Sequence, residues 1–495
     1  MERITRLLRV VLSSKRFGVV VLALFVVQAL WVALSAAYPM AFDEDFHLGV
    51  IKVYSEQWSP FFSGNPADTS QFGALNVDPS YLFHYLFSFP YRFLHLFTQN
   101  ETVVIIIFRL VNVAMFTFGL ILFYKFLRRV GASRLLANTA LTLFTLIPIV
   151  PLLAGQINYD NMLFPLIAWT CWLVLYITND ARKQKVDAKK IGVLVAVVLF
   201  SCMVKYAYLP VAMGVFFYLV VLLWQKFRGH GAQFTKQLGN SYKALGVWAK
   251  FGLLTLVLVG AGLFIQRYGM NMVRYHSPVP ECGAALSTQD CMLYGPWARD
   301  HLLAQNTGVF NHSPLYFSKL WIDGMQTRLF FMVAGPVLGF ETHQPLPVIS
   351  ATATALAVLL LAALCVWGWK LLRRNAVLVF LLVITALYAL VLWVNGYGDY
   401  LHTGQPVAIN GRYFVLVLFP FFAVAGLALA QGLKKYTYIK PWLAAVAILL
   451  FLQGGGITSF ILRSNPQWDW QNSTVIETNN AARDVLKPLI IEGEN

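Results

Sequence analysis

Apolar stretches of about twenty residues recur along the whole of this 495-residue chain, and they decide most of what it can become. A helix needs roughly 20 apolar residues to cross the hydrocarbon core of a bilayer. Backbone groups in lipid must find their hydrogen bonds within their own segment, so runs this long form helices and not barrel strands. Hydrophobic residues make up 58% of the chain and charged ones 12%, where a soluble domain carries roughly 25% charged residues. The pattern predicts an all-α polytopic membrane protein with eleven spans, at 17–37, 102–126, 135–152, 161–178, 191–205, 206–225, 248–267, 349–369, 376–395, 411–431 and 441–462.

The net charge of +16 would suit a nucleic-acid partner if it were gathered on one surface. Instead it alternates between loops. Arg3, Arg6, Arg9, Lys15 and Arg16 precede the first run, and basic clusters follow at 125–134, 182–190, 226–250, 370–374 and 434–440. The positive-inside rule makes these cytoplasmic, with the N-terminus inside and the C-terminus outside. The partner implied is the anionic leaflet, with no nucleic acid. Of the 22 acids only Glu2, Asp180 and Asp187 fall on that side. Solvated outer loops account for most of this bias, and an outer active site would account for the rest.

The divisions expected are a basic tail at 1–16, a transmembrane body at 17–462 and an outer tail at 463–495. The first run resembles a signal peptide, but its length and the lack of a small-residue cleavage site make it a retained anchor. Two large outer segments interrupt the body, at 38–101 and 268–348. The first contains a helical pattern from Leu48 to Trp58 and an aromatic amphipathic segment from Tyr81 to Phe97. Two helices lying along the membrane surface are expected there. The second holds Cys282 and Cys291, spaced for a small disulfide loop in an oxidising compartment, and amphipathic pieces such as Ser318 to Phe331. Cys171, Cys202 and Cys365 fall inside spans, as core residues do.

The densest polar feature is Phe42-Asp43-Glu44-Asp45-Phe46-His47, just beyond the first run. On a helix Asp43 and Glu44 are spaced to lie near His47. Asp43 could equally cap the following helix, with a first-turn acid favoured by the dipole. Arg109 lies about two turns inside the second expected span, and Lys205 sits where the fifth meets the sixth. A charge at lipid level is a functional candidate by default, and snorkelling is the alternative for both. Asn158, Asp160 and Asn161 form a polar turn before the fourth span, as helix caps or as a second wall of an outer site. Asp399, His402, Arg412 and Tyr413 lie on a polar outer stretch running into the tenth span, and His84 lies in the aromatic segment. Arg412 enters at a helix N-terminus, where a phosphate gains from both the cation and the helix dipole.

These motifs resemble the GT-C superfamily, integral-membrane glycosyltransferases that use polyprenyl-phosphate sugars. Within it the chain is most similar to a bacterial glycosyltransferase-like family with Asp-Glu-Pro-Ala-His-Phe in the first loop and Gly-Arg-Tyr-Phe late in the chain. Here the first motif reads Asp43-Glu44-Asp45-Phe46-His47-Leu48, without the Pro-Ala pair, and the second Gly411-Arg412-Tyr413-Phe414. The resemblance spans 17–431 and implies a bacterial plasma-membrane enzyme transferring a hexose or pentose to a glycan, lipid or protein acceptor. It implies Asp43 as general base, with Glu44 and His47 orienting it or joining it around a divalent metal such as Mg or Mn. Arg412, Lys205, Arg109 and Tyr413 would hold the donor phosphate. The rival readings are a flippase for a lipid-linked sugar and a non-enzymatic subunit of a glycan assembly complex. A flippase needs polar groups near the midplane and repeat-related broken helices. The polar groups here gather at the outer boundary.

Overall fold

The computed structural model describes residues 2–40, 43–306, 308–330, 346–464 and 466–491. Phe42 of the acidic motif, positions 331–345 of the second outer segment and the last four residues of the tail lie outside the described residues. Every regular element among the described residues is helical. The chain opens with α1 (Glu2–Leu12), α2 (Lys15–Ser35), α3 (Glu44–Ser55), α4 (Leu82–His95) and α5 (Glu101–Arg129). It continues with α6 (Arg134–Thr145), α7 (Ile149–Ala154), α8 (Asp160–Arg182), α9 (Ala188–Val204) and α10 (Leu209–Phe227).

Eight helices among the described residues are long and apolar enough to cross a membrane: Lys15–Ser35, Glu101–Arg129, Asp160–Arg182, Tyr206–Phe227, Val247–Tyr275, Pro347–Leu372, Ala376–Thr403 and Gly411–Gly432. The other three expected spans take different forms. Pro148 and Pro151 remove backbone donors, and the run 135–152 is divided between α6 and α7. Helix α9 has 17 residues, about 25 Å at 1.5 Å per residue. The last run becomes Ile439–Phe451 and Thr458–Arg463, separated at Gly454, Gly455 and Gly456, with positive φ at the first and third.

The spans carry two kinds of face. On α2, Phe25, Ala29, Val32 and Ala33 are fully buried, whereas Val19, Leu24 and Val27 are exposed. Small residues on the inner face let helices approach closely without any hydrophobic drive between them. Gly119 of α5 shows the limit, because a Cβ there would stand 2.5 Å from the ring of Phe164 and 3.0 Å from the backbone nitrogen of Pro165. Beside it a column of aromatic rings joins four helices. Phe116 stacks on Phe164 at 4.3 Å, and Phe123 and Phe144 meet Phe419 at 5.0 and 5.2 Å. This column binds α5, α6, α8 and Gly411–Gly432 into one core.

Helices α3 and α4 form within 38–101, where two helical patterns are expected, and they pack on one another. The second outer segment folds as short helices, with Cys282 and Cys291 at disulfide distance, 2.09 Å. Its Tyr294 ring rests against Gly73 and 6.5 Å from Phe46, so the two outer segments meet. Cys171 and Cys202 are buried, but Cys365 is exposed on the surface of Pro347–Leu372 and is not a core residue. The tail returns to the exit of α2, where Ala37 N donates to the Trp468 carbonyl (2.7 Å) and Trp470 N to the Ser35 carbonyl (2.9 Å). It then ends in a helix at Ser473–Leu486.

Candidate functional site

The acidic motif does not form one cluster. Its side chains fan out to three different partners, each carried by a different part of the core. Glu44 opens α3 and is fully buried. Its carboxylate takes a two-pronged contact from Arg109, Nε to Oε1 at 2.8 Å and Nη2 to Oε2 at 2.7 Å. The backbone N–H groups of Met40 (2.8 Å) and Ile157 (3.0 Å) also donate to it. The rest of the Arg109 guanidinium donates to the carbonyls of Ala33, Ala36 and Ala37. These are orphan acceptors at the C-terminal end of α2, so all five N–H donors of Arg109 are engaged. One ion pair therefore ties α2, α3, α5 and the turn before α8 together. Every donor of Arg109 and every acceptor position of Glu44 is taken up in this way, which leaves neither free to hold a phosphate or a metal, contrary to the roles expected of them.

His47 turns the other way. Its Nδ1 shares a hydrogen bond with His84 Nε2 at 2.9 Å, both rings are buried, and Tyr159 meets His47 edge-on at 4.4 Å. Burial, then His84 and the cations Arg412 and Lys205, hold His47 well below the ordinary imidazole range. Burial brings His84 down to about 3. Burial favours the neutral form of both rings, and their hydrogen bond fastens α3 to α4. Among the described residues no group of three or more His, Cys, Asp or Glu is gathered for a metal. Asp43, Glu44 and His47 do not fit a common ion, since the four donors on Glu44 and the His84 ring occupy two of the three.

Asp43 differs from both. It occupies the N-cap position of α3, but its side chain makes no cap hydrogen bond. Its backbone is left-handed, φ 71° and ψ 27°, a region an L-residue enters at a cost on the order of 1 kcal/mol or more. The strain aims the carboxylate away from the helix and onto Arg412, whose Nη2 donates to Oδ2 at 2.6 Å. Arg412 is 7% exposed at its side chain and Asp43 53%. Burial opposes ionisation of Asp43, but Arg412, with Lys205 and Arg299 behind it, prevails and holds the carboxyl below the usual range. The Asp43 carboxylate is thus open to solvent on one side and held by a buried cation on the other. Asp45, beside it, is half-buried.

Beside the Asp43–Arg412 pair stand the α9–α10 elbow and the head of Gly411–Gly432. Lys205 interrupts the helices with an extended backbone and donates to Asp160 Oδ1 at 2.7 Å, both side chains being buried. Its Nζ lies 4.4 Å from the Tyr159 ring and 5.1 Å from the Tyr413 ring, and the Arg412 guanidinium lies 5.2 Å from that same Tyr413 ring. Cations on an aromatic face gain from its quadrupole, so Tyr413 couples the two. Gly411 permits this placement. A Cβ there would lie 2.4 Å from the Met325 carbonyl oxygen and 2.7 Å from the Leu329 nitrogen, both backbone atoms.

The remaining expected residues fall outside this arrangement. Asn158 accepts from the Asp160 N–H at 2.9 Å, and Asn161 donates to Asn112 Oδ1 and to the carbonyls of Leu153 and Gln156. They shape the turn that presents Asp160, together with Asn112, which the sequence reading passed over. Asp399 and His402 stand exposed at the end of Ala376–Thr403, with no ion pair to Asp43, Asp160, Lys205 or Arg412 among the described residues. Two residues were missed altogether. Arg267 is buried in a π-type turn within Val247–Tyr275, donates to the Asn76 carbonyl, and lies over the rings of Phe61 and Tyr81. Burial holds the Asp78 carboxyl above its usual range, against the Ser80 amide and Arg267. The signal for Arg267 was an arginine at the outer end of a long apolar run, the criterion that found Arg109. No family model, curated protein or solved structure matches this chain.

Proposed function

We infer that this chain transfers a sugar from a polyprenyl-phosphate donor to an acceptor hydroxyl, with inversion, in a cleft on the extracytoplasmic side of a bacterial plasma membrane. Asp43 is the general base. In this reading the eight long helices, the broken α6–α7 pair, α9 and the last short helix together make the eleven crossings of a GT-C-like body. The observation that carries the reading is the accessible Asp43 carboxylate paired with the buried Arg412 at the head of a long apolar helix.

A carboxylate is the group needed to take a proton from an attacking hydroxyl. A guanidinium is the group suited to a phosphate, which it grips through two parallel hydrogen bonds. In the resting protein each answers the other. A donor phosphate entering the cleft competes with Asp43 for Arg412. As Arg412 turns to the phosphate, burial raises the proton affinity of Asp43 and makes it a better base. The acceptor O–H proton then passes to Asp43, the oxygen bonds to the anomeric carbon, and the carbon–oxygen bond to phosphate breaks with its electron pair leaving on the phosphate. The leaving group needs charge stabilisation more than a proton, and Arg412 and Lys205 supply it. Arg109 is not part of this mechanism.

Two measurements test the reading. Mass spectrometry of lipid co-purifying with the protein should find a polyprenyl phosphate, with or without its sugar, and ordinary phospholipid alone would count against the donor class. Arg412→Gln should raise KM for the donor by about tenfold or more, the value of one charge-assisted contact. It should also move the acid limb of the kcat/KM profile to higher pH. The sign follows from Asp43: its carboxyl is held low by Arg412, and without that cation burial raises it. An unchanged acid limb would remove Arg412 from the control of the base.

A further inference from the structure

At the opposite end of α2 from the cleft lies a second feature, unconnected with sugar transfer. A groove of about 1040 Å³ runs between α1 and the start of Ile439–Phe451. That is the size of a small-molecule site. We propose that it binds the headgroup of an anionic glycerophospholipid.

Helix α1 has two unlike faces. Glu2, Thr5, Arg6 and Arg9 lie on the side that lines the groove. Ile4, Leu7 and Val11 project from the other side and are exposed, Leu7 at 62%. A short helix with cations on one face and bare aliphatic side chains on the other lies in the plane of a bilayer surface. The groove then opens at headgroup depth, with the acyl layer beneath the aliphatic face. Its far wall presents Tyr438 and Trp442, the aromatic types that settle at that depth. Trp442 Nε1 donates to Thr5 Oγ1 at 2.9 Å, and Arg9 Nη2 donates to the Thr437 carbonyl at 2.8 Å. Those two bonds hold the wall and the helix in register, so the groove is built and not incidental.

Its charge selects the ligand. Arg6 and Arg9 line it, Lys440 stands near enough to Arg9 for the two charges to repel, and Glu2 is the one acid on its walls. Repelling cations held at one spot favour an anion between them. A free phosphate would satisfy the arginines but has no acyl chains for the apolar layer beside the groove. A lipid with an anionic headgroup satisfies both.

The test is native mass spectrometry of the full chain in detergent, titrated with dioleoyl-phosphatidylglycerol or dioleoyl-phosphatidylcholine. The wild type should retain one phosphatidylglycerol in preference to phosphatidylcholine. In Arg6→Gln/Arg9→Gln that preference should fall roughly 30-fold, the worth of two basic residues at a membrane surface. Equal retention of the two lipids by the wild type, or a preference unchanged in the double variant, would overturn the proposal. Glu2→Gln supplies a test that misfolding cannot imitate, because removing the one acid should raise phosphatidylglycerol occupancy severalfold. Unchanged or lower occupancy in that variant would also overturn it.

Discussion

Glu44→Gln should destabilise the protein by about 3–5 kcal/mol, the cost of leaving a buried charge without its partner. Both side chains of the Glu44–Arg109 pair are fully buried, so water cannot relieve the orphaned guanidinium. The loss should appear as a lower unfolding midpoint in mild detergent and a smaller monodisperse fraction. Arg109→Met should do similar damage, since it strands both the Glu44 carboxylate and the carbonyls of Ala33 and Ala36. The double variant Glu44→Gln/Arg109→Met should regain part of the stability, because neither charge is then left alone. It should not regain all of it, as those carbonyls still lack a donor. Were Arg109 a phosphate ligand, its variants would fold normally and raise only the donor KM.

The contrast between Glu44 and Asp43 shows what the sequence could and could not convey. Each charge at lipid level was visible singly, because a lone charge there is costly and so stands out. Which charge answers which was not visible. Glu44 meets Arg109 across 65 positions, Lys205 meets Asp160 across 45, and Arg412 meets Asp43 across 369. Those pairings depend on which helices the aromatic core brings together. Helical spacing put Asp43, Glu44 and His47 on neighbouring positions of α3, but spacing carries no direction. The left-handed backbone at Asp43 swings that one carboxylate off the helix, and no local pattern announced it. Long apolar runs and the aromatic segment were legible because periodicity and length fix such helices locally. The division of the run at 135–152 into two helices was not legible, because hydropathy sums over prolines that break the backbone ladder.

Asp43→Asn should fold as the wild type does and transfer sugar about 10²–10⁴-fold more slowly, the usual worth of a positioned general base. The near-normal stability follows from what Asn retains. Arg412 is buried and Asp43 is 53% exposed, and the Asn carbonyl oxygen can still accept the Arg412 N–H, so the guanidinium is not left without an acceptor. Asn keeps the size of the side chain and tolerates left-handed φ, so the backbone at the start of α3 is preserved. It cannot accept the hydroxyl proton. Donor binding should persist, because Arg412 no longer has to be drawn away from a carboxylate. A large fall in kcat with KM for the donor unchanged or lower is therefore the expected signature.

The most direct test of the account is transfer from a synthetic polyprenyl-phosphate sugar to acceptor in proteoliposomes, comparing purified wild type with Asp43→Asn at matched protein and matched unfolding midpoint. The account predicts sugar transfer by the wild type and its near-abolition in the variant, with donor still bound. Transfer by the variant at the wild-type rate would contradict the assignment of Asp43 as the base. Movement of intact donor across the bilayer without transfer, equal in the two proteins, would contradict the enzymatic reading itself.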